Sequence, residues 1–218
     1  MWLGIDTATR RGSVALAPAG GLRLLQAGGG HAAELLVAVE AVLAAAGKTP
    51  RDLSGIAVAL GPGSFTGVRV GLATAKGLGY TLGVAVEGLS SLELLARAAG
   101  LAPGMTVCAS IEAGRGEVYA ARFRVAADGV ERLSPDAVLA PAKVAQDLEA
   151  GTLVAGDGAE SVVARAPDRL RAVPVAPLAP ILADWAARTF PPGAPFRPGG
   201  PAPNYVRPSD GVPPRRPS

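Results

Sequence analysis

The sequence predicts an α/β protein of two tandem lobes, each built on a βββαβαβα unit, with the second lobe reduced. Short apolar runs alternate with longer stretches at helical spacing over the first hundred residues, and a rougher copy of the same order begins after Gly104. A hydrophobic fraction of 49% provides for a substantial core. We therefore expect one lobe at 1–100, a second at 101–190, and a tail rich in Pro and Gly at 191–218.

The first lobe is predicted element by element from these patterns. Three short apolar strands form a meander, and the polar and glycine-rich segments between them form its turns. Helices and strands then alternate. In order, the predicted elements are strands 2–5, 12–17 and 22–27, helix 31–46, strand 54–60, helix 68–82, strand 84–87 and helix 90–99. Helix 31–46 has only three polar residues, His31, Glu34 and Glu40, so we expect a sheet on one side and a second cover on the other.

The second lobe repeats this order less regularly. Its predicted elements are strands 105–111, 117–125 and 130–139, a helix near 143–149, strand 153–155, a helix after Gly158, a strand near Val173 and helix 179–190. The first strand of each copy ends at a carboxylate, Asp6 or Glu112. A βββαβαβα unit used twice is the plan of the actin-like ATPase superfamily, which also includes sugar kinases and Hsp70.

The stretch from 61 to 72, GPGSFTGVRVGL, reads as a strand end, a tight turn and a helix start. Gly61, Pro62 and Gly63 interrupt the strand, and Ser64 or Thr66 can cap the helix. Free backbone N–H groups at such a turn can hold an anion. The glycine spacing differs from the dinucleotide fingerprint and from the Walker loop, and close packing of the helix on the sheet is the alternative explanation for the glycines.

The whole string resembles the signature of the TsaB (YeaZ) family of bacterial proteins. The signature loop comprises Gly61, Pro62, Gly63, Ser64, Phe65, Thr66 and Gly67. Residues 112–119, EAGRGEVY, resemble a family D-A-R-x-G-E-V-Y run, with Glu112 in place of aspartate and Arg115 one position late. Residues 204–207, NYVR, resemble the family's closing P-x-Y-[LV]-R. The resemblance spans nearly the whole chain and implies the actin-like fold.

The resemblance also implies a function. The family provides accessory subunits for the formation of threonylcarbamoyladenosine next to the anticodon of tRNA. A member would be a non-catalytic partner and scaffold of TsaD, the subunit that holds the metal and transfers the threonylcarbamoyl group, and TsaE, a P-loop ATPase, would join the pair. The chain itself would need no cofactor or metal, would meet tRNA indirectly through the complex, and would form a homodimer when alone.

A nucleotide-dependent phosphotransferase is the alternative from another class. In nucleotide-binding members of the superfamily, the turns after the first strand of each lobe face one cleft. Asp6, Thr7 and Glu112 stand at those turns and mark a vestigial nucleotide cleft. Two carboxylates there could hold a metal ion, but acids at strand ends also form turns and caps.

A stripe of small residues predicts where a partner would bind. Gly71, Ala75 and Gly79 fall four residues apart on helix 68–82, and glycine inside a helix costs about 1 kcal/mol relative to alanine. Close approach of another helix could offset this cost, but so could packing within the chain. The predicted partner interface comprises His31, Glu34, Ala38, Ala41, Ala45, Arg69, Gly71, Ala75, Lys76, Gly79 and Tyr80.

The composition of the chain excludes several other classes of function. The single histidine, His31, excludes a His-Glu-x-x-His protease site, and the single cysteine excludes a disulfide framework. The formal charge of +3 allows an RNA-binding module using Arg207, Arg215 and Arg216, although no aromatic platform among the strands accompanies them. With no apolar run of membrane-spanning length, we expect a cytoplasmic protein.

Overall fold

The computed structural model describes residues 1–18, 20–26 and 32–207. It has two lobes, each built around a mixed β-sheet, and so confirms the predicted fold class. The strands are β1 (Trp2–Asp6), β2 (Ser13–Ala17), β3 (Leu22–Leu24), β4 (Gly55–Ala59), β5 (Ala85–Leu89), β6 (Thr106–Gly114), β7 (Glu117–Ala126), β8 (Gly129–Arg132), β9 (Ala137–Leu139), β10 (Leu153–Ala155) and β11 (Arg171–Val173). The helices are α1 (Ala32–Ala45), α2 (Phe65–Leu82), α3 (Ser91–Ala98), α4 (Pro141–Asp147), α5 (Ala159–Val163) and α6 (Leu178–Thr189), with a 3-10 turn at Pro50–Asp52.

The first sheet has the strand order β3-β2-β1-β4-β5. β1 pairs antiparallel with β2 and parallel with β4, so it lies at the centre and is buried along its whole length. Helices α1 and α2 cover one face of this sheet, where Leu35, Val42 and Leu72 pack against Ile5 and Ile56. The carboxyl ends of β1 and β4 therefore open at the same edge of the sheet, which positions the turns that follow them.

The second sheet has the order β11-β10-β6-β7-β8, and β9 also pairs with β7. The prediction of one strand at 130–139 was wrong, because the structure has β8 and β9 at different places along β7. The residues between them include Pro135, which has no N–H to donate to a strand ladder. Other boundaries moved by a few residues, as at α2, which begins earlier because Ser64 caps it.

Each lobe contributes a helix that packs against the sheet of the other lobe. Helix α3, from the first half of the chain, packs on β6 and β7, and α6, from the second half, packs on β1 and β2. The backbone of α6 approaches β1 so closely that a Cβ at Gly4 would lie 2.2 Å from the carbonyl oxygen of Ala179. Ser13 Oγ accepts a hydrogen bond of 3.2 Å from the Ala179 N–H. One apolar core thus runs through both lobes.

The described part of the tail, residues 191–207, packs on the first lobe and reaches the second lobe through Asn204 and Arg207. The Ala85 N–H donates to the Ala194 carbonyl at 2.8 Å, and the Phe196 N–H donates to the Gly83 carbonyl at 3.2 Å. The Phe196 ring packs against the core of the first lobe and contacts the Tyr80 ring edge-on. Within the described residues, no helix combines the length and the apolar character that a bilayer crossing requires.

Candidate functional site

A cleft of about 700 Å³ separates the carboxyl ends of the two central strands. The turn after β1 and the signature loop form the wall on the first lobe, and the β6–β7 turn together with Asp157 forms the wall on the second lobe. The predicted meeting of the two strand-end turns across one cleft is therefore present. The lining includes Thr7, Thr9, Arg10, Ser64, Thr66, Gly67, Glu112, Ala113, Gly114, Tyr119 and Asp157.

Asp6 does not face this cleft. Its Oδ1 accepts hydrogen bonds from the N–H groups of Ala8 at 2.9 Å and Thr9 at 3.3 Å, and its Oδ2 accepts one from the Thr9 hydroxyl at 2.5 Å. The side chain is fully buried, and this burial raises the pKa of the carboxyl above its ordinary value, although the three hydrogen bonds act in the opposite direction. Asp6 therefore holds its own turn together, which is the turn-forming alternative left open by the sequence.

A different carboxylate faces Glu112 at the cleft. Asp157 Oδ1 accepts a 3.0 Å hydrogen bond from the Glu112 N–H, and Asp157 Oδ2 lies 3.7 Å from Arg10 Nε. Burial raises the pKa of the Asp157 carboxyl, and the Glu112 carboxylate acts in the same direction. Sequence reasoning missed Asp157, although its position between Gly156 and Gly158 directly after a strand is a signal that could have identified it.

The glycines of the signature loop allow α2 to pack directly on the turn after β1. A Cβ would lie 2.2 Å from the Ala8 carbonyl oxygen at Gly63, 1.9 Å from the Thr7 carbonyl oxygen at Gly67, and 2.2 Å from Thr7 Oγ1 at Gly71. These distances leave no space for a side chain. Close packing, rather than an open anion cradle, therefore accounts for the glycine pattern.

The small-residue stripe on α2 faces inward. Gly71 and Ala75 are buried, and a Cβ at Gly79 would lie 2.3 Å from Val86 Cγ2 in the first sheet. The interface prediction was thus wrong for these three residues, because the chain's own sheet covers them. Ala38 is likewise buried in that core.

The other residues of the predicted interface lie at or near the surface. Arg69, Tyr80 and Ala45 are exposed, and Glu34, Ala41 and Lys76 are partly buried. His31 lies outside the described residues. Sequence reasoning did not single out Leu36 and Val37, which are 43% and 65% exposed on the outer face of α1. Their positions on a helix with few polar residues are the signal that could have identified them.

The RNA-binding alternative loses one of its three residues to an internal role. Arg207 donates a 3.2 Å hydrogen bond to the Ala113 carbonyl oxygen and forms an ion pair with Glu117. Arg215 and Arg216 lie outside the described residues. Within residues 1–18, 20–26 and 32–207, no cluster of three or more His, Cys, Asp or Glu side chains could hold a metal ion.

Comparisons with known proteins agree on one family. The family model described as TsaD, tRNA N6-adenosine threonylcarbamoyltransferase, matches residues 9–166. The tRNA threonylcarbamoyladenosine biosynthesis protein TsaB of Bacillus subtilis is 37% identical over 106 residues, or 49% of this chain and 46% of the relative. The protein of the same name from Escherichia coli is 37% identical over 131 residues, or 59% of this chain and 57% of the relative. The chain thus matches about half the length of these curated relatives.

Two solved structures extend the likeness over most of the chain. A crystal structure from Pseudomonas aeruginosa, described as an uncharacterized protein with similarity to peptidase YEAZ, has a TM-score of 0.76 and 30% sequence identity. The match covers 94% of this chain and 99% of that one. The structure of YeaZ from Pseudomonas aeruginosa has a TM-score of 0.71 and 30% identity, covering 86% of this chain and 92% of that one.

Proposed function

The chain belongs to the TsaB (YeaZ) branch of the family that includes TsaD, and we propose that it is a non-catalytic partner and scaffold of TsaD. The complex would form threonylcarbamoyladenosine next to the anticodon of tRNA. The names of the relatives support this assignment, since several are called tRNA threonylcarbamoyladenosine biosynthesis proteins. The protein would act in the cytoplasm and meet tRNA indirectly, and TsaE would join the pair.

The observation behind the partner role is an apolar helix face that residues 1–18, 20–26 and 32–207 leave uncovered. Helix α1 buries Leu35, Val39 and Val42 against the first sheet, whereas Leu36 and Val37 point away from it and are exposed. Apolar surface that stays in contact with water costs about 25 cal/mol per Å². A partner that covered this face of α1 would remove that cost.

Helix α2 lies beside α1 and extends the same surface. Gly77 is exposed, and a Cβ there would meet no atom within 4 Å. Another helix could therefore approach the α2 backbone closely at this position. Tyr80, which is 75% exposed, marks the far end of α2. We define the partner surface as Leu36, Val37, Ala45, Gly77 and Tyr80, and propose that it contacts TsaD, or a second copy of the chain when TsaD is absent.

The arrangement of the cleft supports a role without catalysis in this chain. The Asp6 carboxylate is committed to its own turn, and the sequence Asp-Thr-Ala-Thr at 6–9 has no glycine at which the backbone could approach a phosphate. The proposal therefore assigns the reaction to TsaD.

A binding measurement with purified TsaD tests the proposal. Val37→Asp places a charge in the centre of the partner surface, where burial on binding would be costly, so we expect TsaD to be lost from co-purification. Met105→Asp is the matched control, because Met105 is 40% exposed on the second lobe, and we expect it to retain TsaD. Equal retention of TsaD by the parent and by folded Val37→Asp would contradict the assignment of the surface.

A further inference from the structure

The closing motif of the tail connects the two lobes beside the cleft, where Arg207 bonds to the carbonyl oxygen of Ala113. We propose that residues 204–207 form a clasp that fixes the distance between the lobes, with Asn204, Tyr205 and Arg207 as its positioning residues. The sequence places this motif more than 130 residues after the signature loop, and nothing in its composition indicates that the two meet.

On the first lobe, the clasp binds the signature loop and the first turns of α2. The Asn204 N–H donates to the Leu60 carbonyl oxygen at 2.7 Å, directly before the loop begins. The Tyr205 hydroxyl accepts a 3.0 Å hydrogen bond from Arg69 Nε. The Arg69 guanidinium also lies 3.6 Å from the centre of the Phe65 ring, and the Phe65 and Tyr205 rings are 5.6 Å apart. The three side chains therefore form one contact between tail and helix.

On the second lobe, Asn204 and Arg207 bind Asp136 and the β6–β7 turn. The Asn204 side-chain amide donates to Asp136 Oδ2 at 2.6 Å. Arg207 donates to the Ala113 carbonyl oxygen at 3.2 Å and pairs with Glu117, so it holds both sides of the β6–β7 turn. Ala113 itself lines the cleft. Neighbouring residues of one short segment are thus anchored to both lobes.

Asp136 adds a second connection at the same place. Its Oδ2 also accepts a 3.1 Å hydrogen bond from Ser90 Oγ, which belongs to the first lobe, and its Oδ1 pairs with Arg132. Asn204 therefore joins a polar network in which both lobes already take part. The shared core around α3 and α6 joins the lobes through apolar contacts, and the clasp joins them through polar contacts of Asn204 and Arg207.

Spin labels on the two lobes measure the distance that the clasp is proposed to fix. Arg51→Cys on the first lobe and Glu149→Cys on the second provide two exposed attachment points. The native Cys108 is buried, and burial raises the pKa of its thiol to about 12, so it stays unlabelled. In the doubly labelled full chain, we expect Arg207→Ala to give a broader distance distribution with a longer mean.

Two further variants make the result specific. Glu117→Gln removes the second-lobe partner of the Arg207 ion pair and leaves the tail sequence unchanged. It should therefore also give a broader distance distribution with a longer mean. Arg197→Ala removes an exposed arginine from the same tail, and its distribution should match that of the parent. A distribution in Arg207→Ala and Glu117→Gln as narrow as in the parent, with the same mean, would overturn the proposal. The experiment uses the isolated chain, so its outcome does not depend on binding to TsaD.

Discussion

The Thr7 hydroxyl donates a 2.7 Å hydrogen bond to the carbonyl oxygen of Gly67. This bond joins the turn after the first strand to the first turn of α2, and both residues line the cleft. The Thr7 carbonyl oxygen occupies the place where a side chain at Gly67 would begin. The turn and the helix are therefore in backbone contact, and the position of α2 depends on the absence of a Cβ.

Gly67→Ala should destabilise the protein by about 3 kcal/mol or more, because the new methyl group would collide with backbone that has no room to yield. Gly77→Ala is the matched control in the same helix. Its Cβ would meet no atom, so this substitution should stabilise the protein by about 0.5–1 kcal/mol through helix propensity. Urea unfolding of both variants measures the effect. A Gly67→Ala protein as stable as the parent would show that the close approach is absent in solution.

Asp6→Asn should change how stability depends on pH. Burial raises the pKa of folded Asp6 above about 3.9, the value of an unfolded aspartate. The contribution of this raised pKa to the free energy of unfolding is complete below the pKa of Asp6 in the unfolded state. It is lost as pH rises through the pKa of Asp6 in the folded state. The amide introduced by this substitution cannot ionise, so the free energy of unfolding of the variant should increase relative to the parent as pH rises above about 4.

For Asp52→Asn we expect the opposite dependence of stability on pH. Hydrogen bonds from the Thr49 N–H and hydroxyl lower the pKa of the exposed Asp52 carboxyl. Its stabilising contribution is present above the unfolded pKa and is lost as pH falls through the folded pKa, so Asp52→Asn should approach the parent at low pH. Urea unfolding measures both variants, with the pH range extended below 3.8, the ordinary aspartate value, for Asp52→Asn. Parallel pH profiles for Asp6→Asn and the parent would contradict the assigned direction.

Calorimetry with Mg-ATP tests the phosphotransferase alternative. We expect no saturable heat from the isolated chain, because Asp6 is held by its own turn and the turn at 6–9 has no glycine at which the backbone could approach a phosphate. Micromolar binding that disappears in Asp6→Ala would favour the enzyme over the scaffold. Because Asp6→Ala also removes a structural contact, its circular dichroism spectrum should be compared with that of the parent.

The first lobe was predictable because its segments have strong local patterns. β1 and β4 are short apolar runs, and α2 follows a glycine-rich turn with Ser64 at its start, whose Oγ accepts a 3.1 Å hydrogen bond from the Gly67 N–H. The facing positions of the two strand-end turns followed from the duplicated order of elements. These features depend on neighbours in sequence or on topology, and both can be inferred from one chain.

The parts that were missed depend on contacts between distant residues. The spacing of Gly71, Ala75 and Gly79 identifies a smooth stripe on α2, but the sequence does not indicate whether sheet or partner covers it. The stripe faces inward because Gly79 packs against Val86 and Gly71 packs against Thr7, which lie on other elements. Similarly, the tail has no periodicity, and its position follows from the Phe196 ring and the Arg207 ion pair.

The reciprocal packing of α3 and α6 makes the two halves of this chain mutually dependent. A break between residues 100 and 104 would separate β1 and β2 from the helix that shields their inner face, and would separate β6 and β7 from theirs. Each fragment would then present a bare hydrophobic sheet to water. If the molecule arose by duplication, the ancestral unit must have covered that sheet differently, either with its own last helix or by pairing with a twin.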